Sequence, residues 1–142
     1  MRGVTGLSIG GFGIAVALFA ATPAAVASTQ VTAAPRTISA DPEDGTCNTG
    51  EICLYYSEKQ KGSLYDTDTN NPYLTVEEFL SPGKGEGYAV GGNTESYRNK
   101  SDDDWCVYSQ YKYHGKSYRI EAGTKGNFNN YWDDHVYSVK SC

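Results

Sequence analysis

The most informative part of the sequence is Trp105-Cys106-Val107-Tyr108-Ser109-Gln110-Tyr111-Lys112-Tyr113-His114-Gly115. Within it, the pattern Tyr108-x4-Tyr113-x-Gly115 spans a polar turn between two runs of strand-forming residues. Gly115 can adopt a backbone angle that a residue with a Cβ adopts only at a cost, so the turn can fold back onto its own strand. Tyr108 and Tyr113 would then cover the turn with their rings. The stretch therefore predicts a folded-back β-hairpin.

A less complete copy of this frame lies earlier in the chain. Tyr55 and Gly62 have the separation of the first tyrosine and the glycine above, with Gln60 at the place of the second tyrosine. Such a repeat indicates an internal duplication. Aligning the copies places Ser96 opposite Ser138. Serine hydroxyls readily bond to local backbone, so we expect each serine to fasten its hairpin; the alternative is an ordinary exposed strand serine.

Strand patterns and turn signals alternate through both copies. Strands are predicted at Ile52–Ser57 and at residues 62–67, 95–99, 105–110, 116–121 and 135–140. Most intervening segments are rich in Gly, Asn, Asp and Pro, whereas residues 75–80 favour a short helix capped by Thr75. Two four-stranded halves of this kind predict an all-β fold, a sandwich of two Greek-key motifs.

The first 46 residues differ from the aromatic-rich remainder. Residues 1–27 resemble an export signal, with Arg2, an apolar segment at 7–20 and the cleavage pattern Ala25-Val26-Ala27. A membrane-spanning helix is the alternative, although the apolar segment is short and rich in glycine. Residues 28–46 predict a disordered leader or propeptide. The domain is predicted at 47–142, with its halves at 47–101 and 102–142, and the protein is expected to be secreted.

The charge excludes one class of partner. The net charge is −5, and removing the signal with its one charge, Arg2, would leave −6. A nucleic-acid-binding protein of this size needs a basic surface, so we expect no nucleic-acid partner. No run of basic residues suggests an anionic membrane surface either. We expect a monomer without a membrane partner once the signal is removed.

Four cysteines lie in the predicted domain, an even number that predicts two disulfides in a small exported protein. The preferred pairing joins Cys47 to Cys53 and Cys106 to Cys142. The rival pairing joins Cys53 to Cys106, since both occupy equivalent places in the repeat. A zinc site is disfavoured because no histidine lies at a familiar spacing from them.

Catalytic motifs are missing from the sequence. The two histidines, His114 and His135, are not part of a zinc-protease motif, and no nucleophile elbow or phosphate loop occurs. Glu77 and Glu78 are adjacent residues of a predicted helix, so their side chains would point in different directions and form a weak acid pair. We expect no enzyme.

The duplicated hairpin with its later serine resembles the βγ-crystallin fold. More narrowly, Cys47-Asn48-Thr49-Gly50-Glu51-Ile52-Cys53-Leu54-Tyr55, Ser96-Tyr97-Arg98-Asn99 and Cys106-Val107-Tyr108 are similar to the secreted bacterial βγ-crystallin-like peptidase inhibitors of the Streptomyces metalloproteinase inhibitor type. The resemblance covers nearly all of residues 47–142. It implies a secreted inhibitor that occupies the cleft of a protease, first of all a metalloprotease, with a rigid loop and without a covalent bond.

No motif marks the residues that contact the protease. Residues 66–92 form the preferred inhibitory loop because of their length and expected exposure. Aromatic anchors are candidates as well, with core and turn packing as their alternative role. These candidates are Tyr111, Tyr113, Tyr131 and Trp132.

Calcium-binding members of the βγ-crystallin class carry an acidic or amide pair, two spacers, a hydroxyl residue and a serine. Asp133 and Asp134 supply the pair before Ser138, but Tyr137 replaces the small hydroxyl residue. The first half has lost the pair, and Glu95 could substitute as an oxygen ligand. The alternative is a solvated acidic turn. Two other functions stay open: a non-inhibitory module with calcium-linked stability or envelope binding, and a secreted toxin or antimicrobial domain.

Overall fold

The computed structural model describes residues 41–142, so the predicted signal and residues 28–40 of the predicted leader lie outside the described residues. The described part is all-β, as predicted, with single-turn 3-10 segments at Glu58–Gln60, Tyr111–Tyr113 and Asn130–Trp132. None of its helices is long and apolar enough to span a membrane. Its strands are β1 (Ile52–Ser57), β2 (Lys61–Thr67), β3 (Ser96–Asn99), β4 (Trp105–Tyr108), β5 (Ser117–Ile120), β6 (Lys125–Asn127) and β7 (Ser138–Ser141).

Two antiparallel sheets have the orders β2-β1-β3-β6 and β5-β4-β7. Strand β6 belongs to the second half of the sequence but pairs with β3 of the first half. In the other direction, the first half contributes to the second sheet only a single bridge, from Asn71 to Val139 in β7. The prediction of two four-stranded halves is therefore wrong for the second sheet, which has three strands. Pro72 follows Asn71 and has no N–H to donate, which ends the pairing after one residue.

Both sheets contribute to one hydrophobic core. Alternate residues of the central strands point inward, including Ile52 and Leu54 of β1 and Trp105 and Val107 of β4, and all four are buried. This arrangement is a sandwich of two Greek-key motifs, which confirms the predicted fold class. The core also includes Leu74, Phe79 and Val90 from the long segment between β2 and β3.

The two hairpin corners have the same backbone conformation. Lys112, Tyr113 and Gly115 have φ values of 55°, 64° and 81°, and the first hairpin has positive φ at the equivalent places. A Cβ on Gly115 would lie 2.5 Å from Ser109 Oγ, so this position needs glycine. The rings of Tyr108 and Tyr113 pack edge to face with centroids 5.8 Å apart. Equivalent strained corners support the internal duplication. The equivalent first-hairpin residues are Lys59, Gln60 and Gly62.

A buried serine fastens each corner. Ser138 Oγ donates to Gln110 O (2.7 Å) and accepts the N–H of Tyr113 (3.0 Å). Ser96 Oγ donates to Ser57 O (2.6 Å) and accepts the N–H of Gln60 (3.0 Å). Each hydroxyl therefore satisfies two backbone groups of a turn that has no strand partner for them.

Two disulfides close the ends of the domain. They join Cys47 to Cys53 and Cys106 to Cys142, which is the preferred pairing and not its rival. Residues 43–45, which the sequence places in the predicted leader, form hydrogen bonds with Asp66 of β2. Asp66 is buried, and its carboxylate accepts the backbone N–H groups of Asp44 (3.2 Å) and Gly45 (2.8 Å).

The predicted helix at residues 75–80 is wrong. Glu78 forms a β-bridge with Ala89 instead, and the N–H of Phe79 donates to Tyr88 O (3.0 Å). The pattern had local helix-capping signals, but Phe79 is needed in the core, and tertiary packing overrides local propensity.

Candidate functional site

The long segment between β2 and β3 is a packed arm rather than a free loop. Leu74, Phe79 and Val90 are fully or almost fully buried. Val90 N–H donates to Glu77 O (2.9 Å), and Gly91 N–H donates to Leu74 O (2.8 Å), so the outgoing and returning backbones are joined. The preferred inhibitory loop, residues 66–92, therefore lies in a fixed conformation.

One turn of this arm projects an apolar side chain into solvent. Val76 N–H donates to Tyr73 O (3.2 Å) and closes a turn that we call the 73–76 turn. Val76 is 75% exposed, while Leu74, two residues before it, is fully buried and donates its N–H to Tyr137 O (3.0 Å). An exposed valine beside a buried leucine is an apolar anchor on a rigid support.

The side chain of Asn71 lies beneath the 73–76 turn. Its Oδ1 accepts the N–H of Tyr73 (2.8 Å), and its Nδ2 donates to Glu77 Oε1 (2.9 Å) and to Tyr65 Oη (3.1 Å). Tyr65 Oη in turn donates to Glu43 Oε1 (2.9 Å). Burial raises the pKa of Tyr65, which keeps its hydroxyl protonated and able to donate.

An aromatic groove adjoins the 73–76 turn. The groove has a volume of about 750 Å³, and its rings come from Tyr73, Tyr111 and Tyr137. The ring of Tyr111 lies 6.0 Å from that of Tyr73 and 5.7 Å from that of Tyr137, centroid to centroid. Lys112 N–H donates to Pro72 O (3.0 Å), which fixes the second hairpin against the arm. The polar residues of the groove are Ser109, Gln110, Lys112 and His114.

The four candidate aromatic anchors do not lie together. Tyr111 is 45% exposed and faces the groove, whereas Tyr113 packs against Tyr108. Tyr131 is 41% exposed but stacks on the ring of His135 at another place, and Trp132 packs against the core. The sequence did not indicate Tyr73 or Tyr137 as anchors, because only the fold brings them beside the second hairpin.

The structure brings two of the residues expected to bind calcium close to each other. Glu95 and Asp134 lie near each other, but Glu95 Oε2 already accepts the N–H of Glu58 (2.9 Å). Burial raises the pKa of Asp134, and repulsion from Asp133 and Glu95 raises it further. Among residues 41–142, no three acidic, histidine or cysteine side chains converge as metal ligands. Tyr137 stands at the expected position of the small hydroxyl residue, and a Cβ on Gly92 would lie 3.3 Å from its phenol oxygen.

Comparison with solved structures identifies the fold. A structure from work on the evolution of the eye lens βγ-crystallin domain fold has a TM-score of 0.54 at 14% identity, covering 69% of this chain and 90% of that one. A βγ-crystallin from Ciona intestinalis has a TM-score of 0.52 at 22% identity, covering 66% and 100%. A βγ-crystallin domain from Flavobacterium johnsoniae has a TM-score of 0.51 at 18% identity, covering 64% and 92%. These likenesses show the βγ-crystallin fold.

The family follows from the sequence itself. Residues 40–120 match the model of peptidase inhibitor family I36, which is more than half of the chain. The chain belongs to this family and is therefore a peptidase inhibitor and not an enzyme. No match was found among the curated proteins. The matched residues include the 73–76 turn, Asn71 and the second hairpin.

Proposed function

We propose that this peptidase inhibitor is secreted and acts on metalloproteases, filling the protease cleft with the 73–76 turn without forming a covalent bond. The observation that carries the proposal is Val76, an apolar side chain that is 75% exposed on a turn anchored on both sides. The metalloprotease class rests on the resemblance of the cysteine-bounded opening to the Streptomyces metalloproteinase inhibitor type. Secretion is supported by the signal-like residues 1–27 and by two disulfides.

Rigidity makes the turn suitable for this role. A flexible peptide loses conformational freedom when it binds, whereas a turn that is already ordered loses little, so more of its contact energy appears as affinity. Leu74 and Phe79 hold the turn from the core, one on each side of Val76. The apolar side chain of Val76 would then enter an apolar specificity pocket of the protease and lose its contact with water.

The aromatic groove supplies a second contact area beside the turn. Tyr73 is 39% exposed and belongs both to the 73–76 turn and to the groove, and Tyr111 faces it. Tyrosines give large contact areas at a low cost in side-chain entropy. The rim of a protease cleft that takes up Val76 would therefore lie against these two rings.

A panel of proteases tests the proposal. The disulfide-bonded domain is added to thermolysin-type metalloproteases, serine proteases and cysteine proteases, and initial rates are measured at several substrate concentrations. We expect the domain to inhibit metalloproteases by raising their apparent KM without changing kcat, since occupation of the cleft competes with substrate. Inhibition restricted to serine or cysteine proteases would overturn the metalloprotease assignment. Inhibition that lowers kcat without changing KM would overturn occupation of the cleft.

A further inference from the structure

Asn71 holds the chain on both sides of Val76 with one side chain. Its Oδ1 accepts the N–H of Tyr73 (2.8 Å), before Val76, and its Nδ2 donates to Glu77 Oε1 (2.9 Å), directly after Val76. The Asn71–Glu77 hydrogen bond is part-buried, and the Asn71–Tyr73 hydrogen bond is at the surface. Among residues 41–142, Asn71 is the only residue whose side chain bonds to both Tyr73 and Glu77. It therefore bridges the base of the 73–76 turn.

The second half of the protein fixes this bridge in place. Asn71 N–H donates to Val139 O (2.8 Å), and Val139 N–H donates to Asn71 O (2.9 Å). Val139 lies in β7, which ends at Ser141. The next residue, Cys142, forms a disulfide with Cys106 in β4. A side chain whose backbone is paired on both sides has little freedom to move away from its partners.

We propose that Asn71 is a positioning residue that makes the 73–76 turn an inhibitor rather than a substrate, an inference that rests on the proposed function. A protease that hydrolyses a peptide bond beside Val76 adds one water and produces a carboxylate and an amine. In a free loop these new ends separate. Here Asn71 holds Tyr73 and Glu77, and the backbone bonds of Leu74 to Gly91 and of Glu77 to Val90 hold the same two segments.

Holding the ends has two consequences. The segment that contains the cleaved bond resists separation of its two new ends, so net cleavage is slow. After cleavage the amine stays beside the carboxylate, and the protease rejoins them with release of the same water, because a held pair reacts far more readily than two free ends. The domain therefore stays intact while it occupies the cleft.

Four variants test the role of Asn71 against the protease that the wild-type domain inhibits most strongly. Asn71→Ala removes the contacts with Tyr73 and Glu77 together with the bond to Tyr65 Oη. Asn71→Asp keeps an acceptor for Tyr73 but places a carboxylate against Glu77. Combining Asn71→Asp with Glu77→Gln restores the contact with its donor and acceptor exchanged. Asn99→Ala is the matched control, because Asn99 is a buried asparagine that braces a different loop through Ser101 N–H (3.0 Å) and Asp103 O (2.7 Å).

The readouts are the initial inhibition constant and the rate at which the inhibitor is cut, followed by mass spectrometry. We expect Asn71→Ala and Asn71→Asp to be cut at least about tenfold faster, with recovery in the double variant. The control should unfold more easily but be cut at the wild-type rate under folding conditions. The inference is overturned if Asn71→Asp is cut no faster than wild type, or if the control accelerates equally. A wild-type domain that inhibits no protease overturns the proposed function itself, a result distinct from both.

Discussion

Replacing Val76 should weaken inhibition while leaving the fold intact. Its side chain is 75% exposed in the free domain, so most of its apolar surface is still available for burial in a protease pocket. Val76→Ala removes two methyl groups, each worth about 0.8 kcal/mol when it is buried. The expected loss is therefore about 1.5 kcal/mol, or roughly a tenfold increase in the inhibition constant.

Val76→Asp should have a much larger effect, because it places a carboxylate in a pocket that offers no partner. The cost of an unpaired buried charge is several kcal/mol, so inhibition should weaken by at least about a hundredfold. Neither change should alter the stability of the free domain by more than about 0.5 kcal/mol, since the side chain makes few contacts there. We therefore expect the affinity for the protease to fall while the stability of the free domain stays almost unchanged.

The assay adds each variant to the protease at increasing concentration and measures its inhibition constant. Urea unfolding of each free domain gives its free energy of unfolding. Leu80→Ala is the control, because Leu80 is another exposed apolar residue of the arm, 40% exposed, and lies outside the 73–76 turn. It should leave the inhibition constant within about twofold of wild type. The reasoning fails if Val76→Asp inhibits as strongly as wild type, or if Leu80→Ala weakens inhibition as much as Val76→Ala.

Three further results are expected. Ser96→Ala and Ser138→Ala should each lower the free energy of unfolding in urea by about 2 kcal/mol, as two buried hydrogen bonds are lost, while exposed Ser141→Ala should change it little; equal effects at all three positions would contradict this. The raised pKa of Asp134 means that its ionisation destabilises the fold, so Asp134→Asn should raise Tm at pH 7, and the gain should shrink on acidification through the carboxyl range; a gain independent of pH would speak against it. Excess calcium should give the same Tm as a chelator, because Glu95 accepts a backbone N–H and no three acidic, histidine or cysteine side chains converge in residues 41–142. A clear rise in Tm with calcium would contradict this expectation.

The hairpin corners could be predicted from the sequence because their determinants are local. Gly115 must have positive φ, and Tyr108 and Tyr113 flank it within the same turn, so a short pattern contains the whole requirement. The pairing of Cys106 with Cys142 was also accessible, since Cys106 lies in β4 and Cys142 directly follows β7, which is the neighbour of β4. Duplication then extended the local pattern to the complete fold.

The conformation of the proposed inhibitory turn could not be predicted, because its determinants are distant in the sequence. The turn is at residues 73–76, but Leu74 bonds to Tyr137 and Asn71 pairs with Val139, more than 60 residues later. Local signals at residues 75–80 favoured a helix, whereas burial of Phe79 and the bridge from Glu78 to Ala89 require extended backbone. Tertiary contacts that override the local helix propensity leave no short pattern in the sequence.

Tyr137 connects the second Greek key with the 73–76 turn. At the place where calcium-binding relatives are expected to have a small hydroxyl ligand, Tyr137 carries a ring too large for that role. The same residue accepts the N–H of Leu74 through its carbonyl (3.0 Å), and its ring packs against Tyr111 in the aromatic groove. Leu74 anchors the 73–76 turn from the core, so Tyr137 supports this turn through its carbonyl. The second Greek key therefore acts as the platform on which the first one presents Val76, and inhibition should depend on an intact second half although it contributes little of the turn itself.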